Sequence, residues 1–197
     1  MDERARINLS KKMTYLLRHK EGFTDREGWV DIDELLRALR RWYPWVTKGD
    51  IIYVVAHDDK GRYELKGNLI RARYGHTTNV EIKLPLAKED VLYHGTSCIS
   101  YRKIIEEGIK PMKRRKVHLT RDLNEAIDNA RRKGSCIKIL IIDTQCLKDK
   151  GYLVYEAGKN VRVTDYVPPE CIKGVLTPKS RVSPSREGRN RGGRVQL

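Results

Sequence analysis

The apolar residues of this chain change their period part-way along, and that change bounds the fold more tightly than any single motif. Ile7, Leu9, Met13, Leu16 and Leu17 recur at helical spacing, with Ser10 and Thr14 compatible with a polar side. They predict a first helix with Arg18 and His19 near its end. Asp31 or Asp33 can cap a second helix carrying Leu35, Leu36 and Leu39, with Trp42 and Trp45 following around Pro44. Thr47 and Asp50 offer starts for a third helix over Ile51, Ile52, Val54 and Val55. The pattern then shortens, and residues 63–66 and 69–72 read as two strands joined by a turn at Gly67-Asn68. Three helices followed by a two-stranded wing predict a winged-helix unit over residues 1–86.

Pro85 to Asp90 reads as a linker, after which Val91-Leu92-Tyr93 starts a second unit over residues 87–178. Ser100 to Glu107 is expected as a helix stopped by Gly108, Val117 to Thr120 as a strand, and Asn124 to Arg132 as a helix with Gly134 beyond it. Ile137 to Ile142 first alternates and then becomes continuously apolar, as in a buried strand. Two more strands are expected at Leu153-Val154-Tyr155 and Val161-Arg162-Val163. The segment from Lys179 to Leu197, rich in Ser, Arg and Gly, is expected to be disordered.

At 197 residues with 39% hydrophobic content, the chain can bury a core in each of two small units. The net charge of +15 divides as +4 over residues 1–86 (17 basic, 13 acidic), +6 over 87–178 (18 basic, 12 acidic) and +5 over 179–197 (6 basic, 1 acidic). Both units are therefore basic, and a polyanion is the natural partner, with salt-sensitive binding. Cys98, Cys136, Cys146 and Cys171 form no Cys-x-x-Cys and have no histidine at finger spacing, which argues against structural zinc. They are expected as reduced, partly buried thiols. No run of about 18 apolar residues exists and the first residues lack a signal-peptide core, so a soluble, cytoplasmic protein is expected.

Three clusters carry the chemistry: Leu16-Leu17-Arg18-His19, Ile70-Arg71-Ala72-Arg73-Tyr74-Gly75-His76, and Val91 to Ser97 with His94-Gly95-Thr96 at its centre. In the last, glycine lets the backbone approach a ligand, while a histidine and a hydroxyl can bond a ribose or phosphate. Alone, that tripeptide fits an ordinary strand-end turn equally well. Arg18 and His19, as neighbours on a helix, diverge by about 100 degrees and can share a cleft only near the helix end or at a seam between units. Alternation puts Arg73 on the same side of its strand as Arg71. Together, Arg and His in all three clusters point to an anion.

Leu9-Ser10-Lys11, Leu17-Arg18-His19, Gly28-Trp29-Val30, Ile32-Asp33-Glu34-Leu35-Leu36, Ile70-Arg71-Ala72 with Gly75-His76, Tyr93-His94-Gly95-Thr96, Val117-His118-Leu119-Thr120, Arg131-Arg132-Lys133-Gly134 and Val167-Pro168-Pro169 follow one another in order. In this series, from about residue 7 to 177, the chain resembles the RNA 2'-phosphotransferase family, NAD-dependent enzymes that remove a 2'-phosphate from an internal RNA position. The resemblance implies an α+β fold: an N-terminal winged-helix lobe, a C-terminal ADP-ribosyltransferase-like split β-sheet lobe, and an active site in the cleft between them. It implies Arg18, His19, Arg71 and Arg132 as catalytic residues, with Arg131 one position from the last assignment. NAD would be held by His94, Gly95, Thr96, His118 and Val161, and RNA by Lys11, Arg73, Gly75 and His76. Tyr74 stands where the family usually has glutamine. Val161 stands where many protein-modifying ADP-ribosyltransferases have glutamate, and Glu156 lies too far upstream to replace it.

The implied reaction has two steps. The RNA 2'-phosphate, already anionic, attacks NAD at C1'' and expels nicotinamide, giving a 2'-phospho-ADP-ribosylated RNA. Ribose O2'' then attacks phosphorus, releasing 2'-hydroxyl RNA and ADP-ribose 1'',2''-cyclic phosphate. No metal is expected, because arginines supply the cationic charge, and tRNA and a monomeric state are implied. Three alternatives share parts of this reading: an ADP-ribosyltransferase that caps terminal phosphates of RNA or DNA, a noncatalytic winged-helix RNA-binding protein, and a protein-modifying toxin. The last lacks both a secretion signal and a clear catalytic glutamate.

Overall fold

The computed structural model describes residues 1–178, and the expectation for residues 179–197 lies outside them. The chain is mixed α+β with antiparallel sheets. Its first part holds α1 (Glu3–His19), β1 (Val30–Asp31), α2 (Ile32–Leu39), α3 (Lys48–Ala56), β2 (Tyr63–Lys66) and β3 (Leu69–Ala72). The three strands form one sheet in the order β1-β3-β2. Each helix starts where a side chain accepts a free backbone N–H. Asp2 caps α1 and Asp31 caps α2, while Thr47 and Asp50 form a reciprocal capping box on α3. Leu9, Met13, Leu16 and Leu17 of α1 meet Leu35, Leu39, Ile51 and Ile70 in one core. The Gly67-Asn68 turn forms as expected, with Gly67 at φ +59° and Leu65 paired to Ile70 across it.

The second part holds β4 (Val91–Ser97), α4 (Cys98–Glu107), β5 (Val117–Thr120), α5 (Leu123–Arg131), β6 (Ile137–Asp143), α6 (Thr144–Asp149), β7 (Tyr155–Glu156), β8 (Val161–Thr164), a 3-10 turn at Pro169–Cys171 and β9 (Ile172–Leu176). Its sheet runs β7-β8-β5-β4-β6-β9. The apolar run in β6 is buried on both faces: Ile137 and Ile139 pack with Ala126 and Ala130 of α5, while Leu140 and Ile142 pack with Leu92 and Leu119 on the other side. β4 and β6 pair along their whole length, from Val91 opposite Asp143 to Ser97 opposite Ile137. β4 and β5 pair only at Tyr93 opposite Thr120, so the sheet parts between these two strands.

Several expectations change in detail. The strand placed at Leu153-Val154-Tyr155 is confined to Tyr155–Glu156, and Leu153 is exposed. α6, β9 and β1 were not foreseen; the last two lack a strong period of their own and form because a neighbouring strand offers its edge. The cysteines are not reduced thiols. Cys98 bonds Cys136 and Cys146 bonds Cys171, with Cα atoms 5.5 and 5.4 Å apart. The first pair continues the β4/β6 register one step beyond Ser97 opposite Ile137, which spacing along the sequence cannot reveal.

The segment read as a linker is bonded throughout. Ala87 N–H donates to the Val154 carbonyl (2.9 Å), Glu156 N–H donates to the Pro85 carbonyl (2.8 Å), and the Thr144 hydroxyl donates to the Glu89 carbonyl (2.6 Å). The Glu89 carboxylate takes two charge-assisted bonds from the fully buried Arg162, at 2.9 Å to Nε and 2.5 Å to Nη2. Arg162 also donates to the carbonyls of Gly158 and Val161.

Candidate active site

The last turn of α1 delivers Arg18 and His19 to the segment that follows β3. The Arg18 carbonyl accepts bonds from the amides of Thr77 (3.0 Å) and Thr78 (3.4 Å), which ties residues 74–78 across the helix end. The Arg18 guanidinium lies 4.8 Å from the centre of the Tyr74 ring and packs under Gly75. Gly75 has φ +89°, and a Cβ there would approach the Arg18 Cζ to 3.1 Å, so both backbone conformation and space demand glycine. Burial lowers the Arg18 pKa, yet an arginine remains charged at neutral pH.

His19, exposed beside it, shares a 3.1 Å hydrogen bond between Nδ1 and the Thr77 hydroxyl. Its pKa is lowered by partial burial and then by Arg18 and Arg114. His76 is buried, and burial first, then Arg18, His19 and Arg71, push its pKa down to about 4. A neutral imidazole results at pH 7, with one donor and one acceptor nitrogen.

Arg71 is held on three sides. Its Nε and Nη2 bond the Glu64 carboxylate at 2.9 and 2.8 Å, Nη1 donates to the Glu27 carbonyl (3.2 Å), and its face lies 4.3 Å from the Trp29 ring centre. One N–H on each terminal nitrogen is left for a ligand. Gly28, at φ +81°, covers this pair: a Cβ would sit 3.7 Å from His76 Nε2 and 3.9 Å from Arg71 Cβ.

From the second sheet, β5 brings His118 and the basic run Lys113-Arg114-Arg115-Lys116 that precedes it. The Arg115 amide donates to the His76 carbonyl (3.2 Å), joining the run to the first part. His118 lies 6.0 Å from Tyr74, ring centre to ring centre. Burial, then Arg114, push its pKa down to about 3. Where β4 and β5 part, His94 bridges the gap: its Nδ1 donates to the His118 carbonyl (3.0 Å), which fixes the proton on that nitrogen. Burial and the nearby Lys133 push His94 down to about 4.

Part of this group opens on a cavity of about 760 Å³, lined by Arg73, Tyr74, Gly75 and His76 on one side and by Arg115, Lys116, His118 and Val163 on the other, whereas Arg18, His19, Arg71 and His94 stand behind its wall and do not line it. Val80, Ile82 and Leu84 line it as well. Among the described residues, six buried side-chain polar atoms have no hydrogen-bond partner, and five of them belong to Arg18 (Nε and Nη2), Arg73 (Nε), His76 (Nε2) and His118 (Nε2). Buried polar atoms are rarely left unpaired, so their concentration in one place marks a ligand site. Its charge is cationic and its imidazoles are neutral, a combination suited to an anion and to proton exchange with it.

Arg18, His19, Arg71, Arg73, Gly75, His76 and His118 are thus gathered, with His94 behind His118. Other expected residues lie elsewhere. Lys11 is exposed on α1 and does not line the cavity. Arg132 is the exposed C-cap of α5, and Arg131 pairs with Asp128 at 3.7 Å. Their neighbour Lys133, also exposed, reaches back with its ammonium to donate to the Gly95 carbonyl at 2.8 Å. Gly95 serves packing: a Cβ there would fall 2.1 Å from the Ala126 carbonyl oxygen of α5. Thr96 is buried. Val161 shares a face of β8 with Val163, which lies opposite His118 and lines the cavity where Val161 does not. Glu156 approaches Arg162 at 3.9 Å. Sequence reasoning passed over Arg114, Arg115, Lys116, Lys133 and Val163; the four consecutive basic residues before β5 were the available signal.

The pattern of the RNA 2'-phosphotransferase, Tpt1/KptA family matches residues 4–166. A probable RNA 2'-phosphotransferase of Pyrococcus horikoshii is 48% identical over 176 residues, covering 87% of this chain and 99% of that protein. One of Pyrococcus abyssi is 47% identical over 177 residues, covering 87% and 97%. A probable RNA 2'-phosphotransferase 1 of Archaeoglobus fulgidus is 37% identical over 170 residues, covering 84% and 79%. With a family match across most of its length and relatives this similar, the chain belongs to the RNA 2'-phosphotransferase, Tpt1/KptA family.

Proposed function

We propose that this protein removes an internal 2'-phosphate from RNA, tRNA in the first instance, by transferring it to NAD in two steps, and that it does so as a monomer without a metal. The observation that carries the reading is the group of unpartnered buried nitrogens on Arg73, His76 and His118, which line one cavity, and on Arg18, packed behind Tyr74 and Gly75 of its wall. Residues 1–86 act as a winged-helix lobe that holds the RNA phosphate, supported by three helices and a three-stranded antiparallel sheet. Residues 87–178 act as an ADP-ribosyltransferase-like lobe, supported by the parting of β4 from β5 beside His94 and His118.

A dinucleotide fits the site on two counts. The cavity has the volume of an ordinary ligand pocket, and its second-lobe wall carries cations and an orphaned imidazole nitrogen. His118 would bond NAD, His94 would hold the backbone on which His118 stands, and Arg115 and Lys116 would face its phosphates. Bound NAD supplies an electrophilic ribose carbon and a good leaving group.

The chain's own residues do the rest. Arg18 and the free edge of Arg71 hold the 2'-phosphate by charge-assisted bonds, and their fixed charge stabilises the crowded anionic transition state of the second step. His19, neutral at pH 7, takes the proton from the attacking ribose hydroxyl and returns it to the departing RNA 2'-oxygen. Lys133 holds the β4 backbone at Gly95, while Arg132, on the exposed cap of α5, meets the phosphate only if the residues around it rearrange on binding.

The test is to incubate the protein with NAD and a short RNA bearing an internal 2'-phosphate, in excess chelator, and to resolve the products by mass spectrometry. Loss of the phosphate with appearance of ADP-ribose cyclic phosphate is the expected result. An ADP-ribosylated RNA that persists would favour capping of phosphates instead, and absence of NAD consumption would sink the proposal.

A further inference from the structure

Exposed aromatic side chains on a small protein are usually scattered singly, but here several gather on one flank with cations among them. Tyr15 is 49% exposed, Trp42 46% and Trp45 50%. The Lys12 ammonium lies between the first two, 4.2 Å from the Trp42 ring centre and 5.4 Å from that of Tyr15. Lys12, Tyr15 and His19 stand three and four residues apart and share one face of α1. The Tyr15 and His19 rings are 6.4 Å apart, and His19 is bonded to Thr77 at the candidate active site. Trp42, Lys12, Tyr15 and His19 therefore form a continuous strip from open surface to the site. Lys11 and Arg41, both exposed, add charge on the same elements.

We propose that this strip is a second RNA contact, which takes the nucleotides flanking the 2'-phosphorylated one. Bases stack on Tyr15 and Trp42, and backbone phosphates lie against Lys11, Lys12 and Arg41. Stacking on aromatic rings tolerates any base, and interleaved cations follow the backbone, so the strip fits single-stranded RNA without sequence preference. A face of this charge on a chain of net charge +15 repels a second copy of itself, which favours a polyanion as the occupant. Lys12, seated over Trp42, also holds that ring ready before any base arrives. The inference rests on the proposed function in taking RNA as the substrate.

The experiment measures binding of an unphosphorylated, fluorescein-labelled RNA of about twelve nucleotides by polarisation, a length within the usual range for such surfaces. The full chain is compared with Tyr15→Ala, Trp42→Ala and Trp42→Phe. Each alanine variant is expected to bind at least about fivefold more weakly, with Trp42→Phe recovering most of the loss. In turnover, the advantage in kcat/KM of a long 2'-phosphorylated RNA over a 2'-phosphorylated trinucleotide should shrink by a similar factor. Melting curves establish that the variants are folded. Equal RNA affinity in the folded variants, or no measurable RNA binding by the parent chain, would overturn the proposal. So would a dimer that dissociates in Trp42→Ala while RNA affinity stays the same. Weakened binding in the variants, with no NAD-dependent dephosphorylation by the parent chain, would uphold the strip and reject the reaction.

Discussion

Arg18 is the residue whose surroundings are most specific to a task. Its charge is buried under Tyr74 and Gly75, and two of its nitrogens lack partners although burial makes that costly. The buried guanidinium of Arg162, by contrast, is met by the Glu89 carboxylate and two carbonyls. Removing one well-placed charge-assisted contact to a transition state costs roughly 2.7 to 4 kcal/mol. Arg18→Ala is therefore expected to slow the phosphate-transfer step about a hundred- to a thousandfold in single-turnover assays; conversion at the parent rate would remove Arg18 from the mechanism. The motif around Arg18 and His19 was legible in the sequence because a helix end places both at a seam. The choice between Arg131 and Arg132 was not. One residue of helix is about 100 degrees of rotation, so a slip of one position exchanges the faces the two side chains occupy, and both are exposed at the end of α5.

At the scale of elements, the hydrophobic period predicted α1 to α3, the Gly67-Asn68 hairpin and β4 to β6 closely. It failed at α6 and β9, and it gave no sign of the packing at Gly95. The sequence offered glycine as room for a ligand, whereas α5 lies against it. Only a helix-to-strand distance distinguishes those readings. The cysteines failed for a similar reason: Cys98 and Cys136 are 38 residues apart in sequence, and meet because β4 and β6 share a register. That bond ties the end of β4 to the loop carrying Lys133 and Gly134. In the chain-entropy view, a loop of this length contributes about 3.5 to 4 kcal/mol. Replacing both cysteines by serine should lower Tm by roughly 7 to 15 °C, and reductant, which also opens Cys146–Cys171, should lower it at least as far in the parent chain. Melting curves unmoved by either treatment would mean that the bond does not form in solution. Such bonds are rare in the cytoplasm of mesophiles and accepted in that of hyperthermophiles.

For the molecule as a whole, the same site sets the response to acid. His76 and His94 are held to about 4 and His118 to about 3, all below the usual histidine value near 6.5. Below pH 6.5 the unfolded chain binds protons that the folded chain refuses, so folding stability is fully present above that value and declines as pH falls toward 4. The paired carboxylates, such as Glu89 beside Arg162, are themselves held below 4.5 and contribute their own loss only at still lower pH. Tm is thus expected to fall between pH 6.5 and 4.5, with His76→Gln flattening part of the slope. A flat profile across that window would show that these imidazoles are not buried as described. No helix among the described residues is long and apolar enough to cross a membrane.

The stretch from Pro85 to Asp90 reads in sequence as a linker. A working hinge needs a few residues able to change their backbone angles without breaking bonds. Here the backbone is laced to Val154, Glu156 and Thr144, and Glu89 is locked to a buried guanidinium. These bonds fasten the stretch to the second half, and pulling Glu89 away from it would strand the Arg162 charge away from water. For the reaction proposed above, this stretch is therefore not where the molecule would bend to admit a nucleotide or release products, and any such movement would fall to residues outside it.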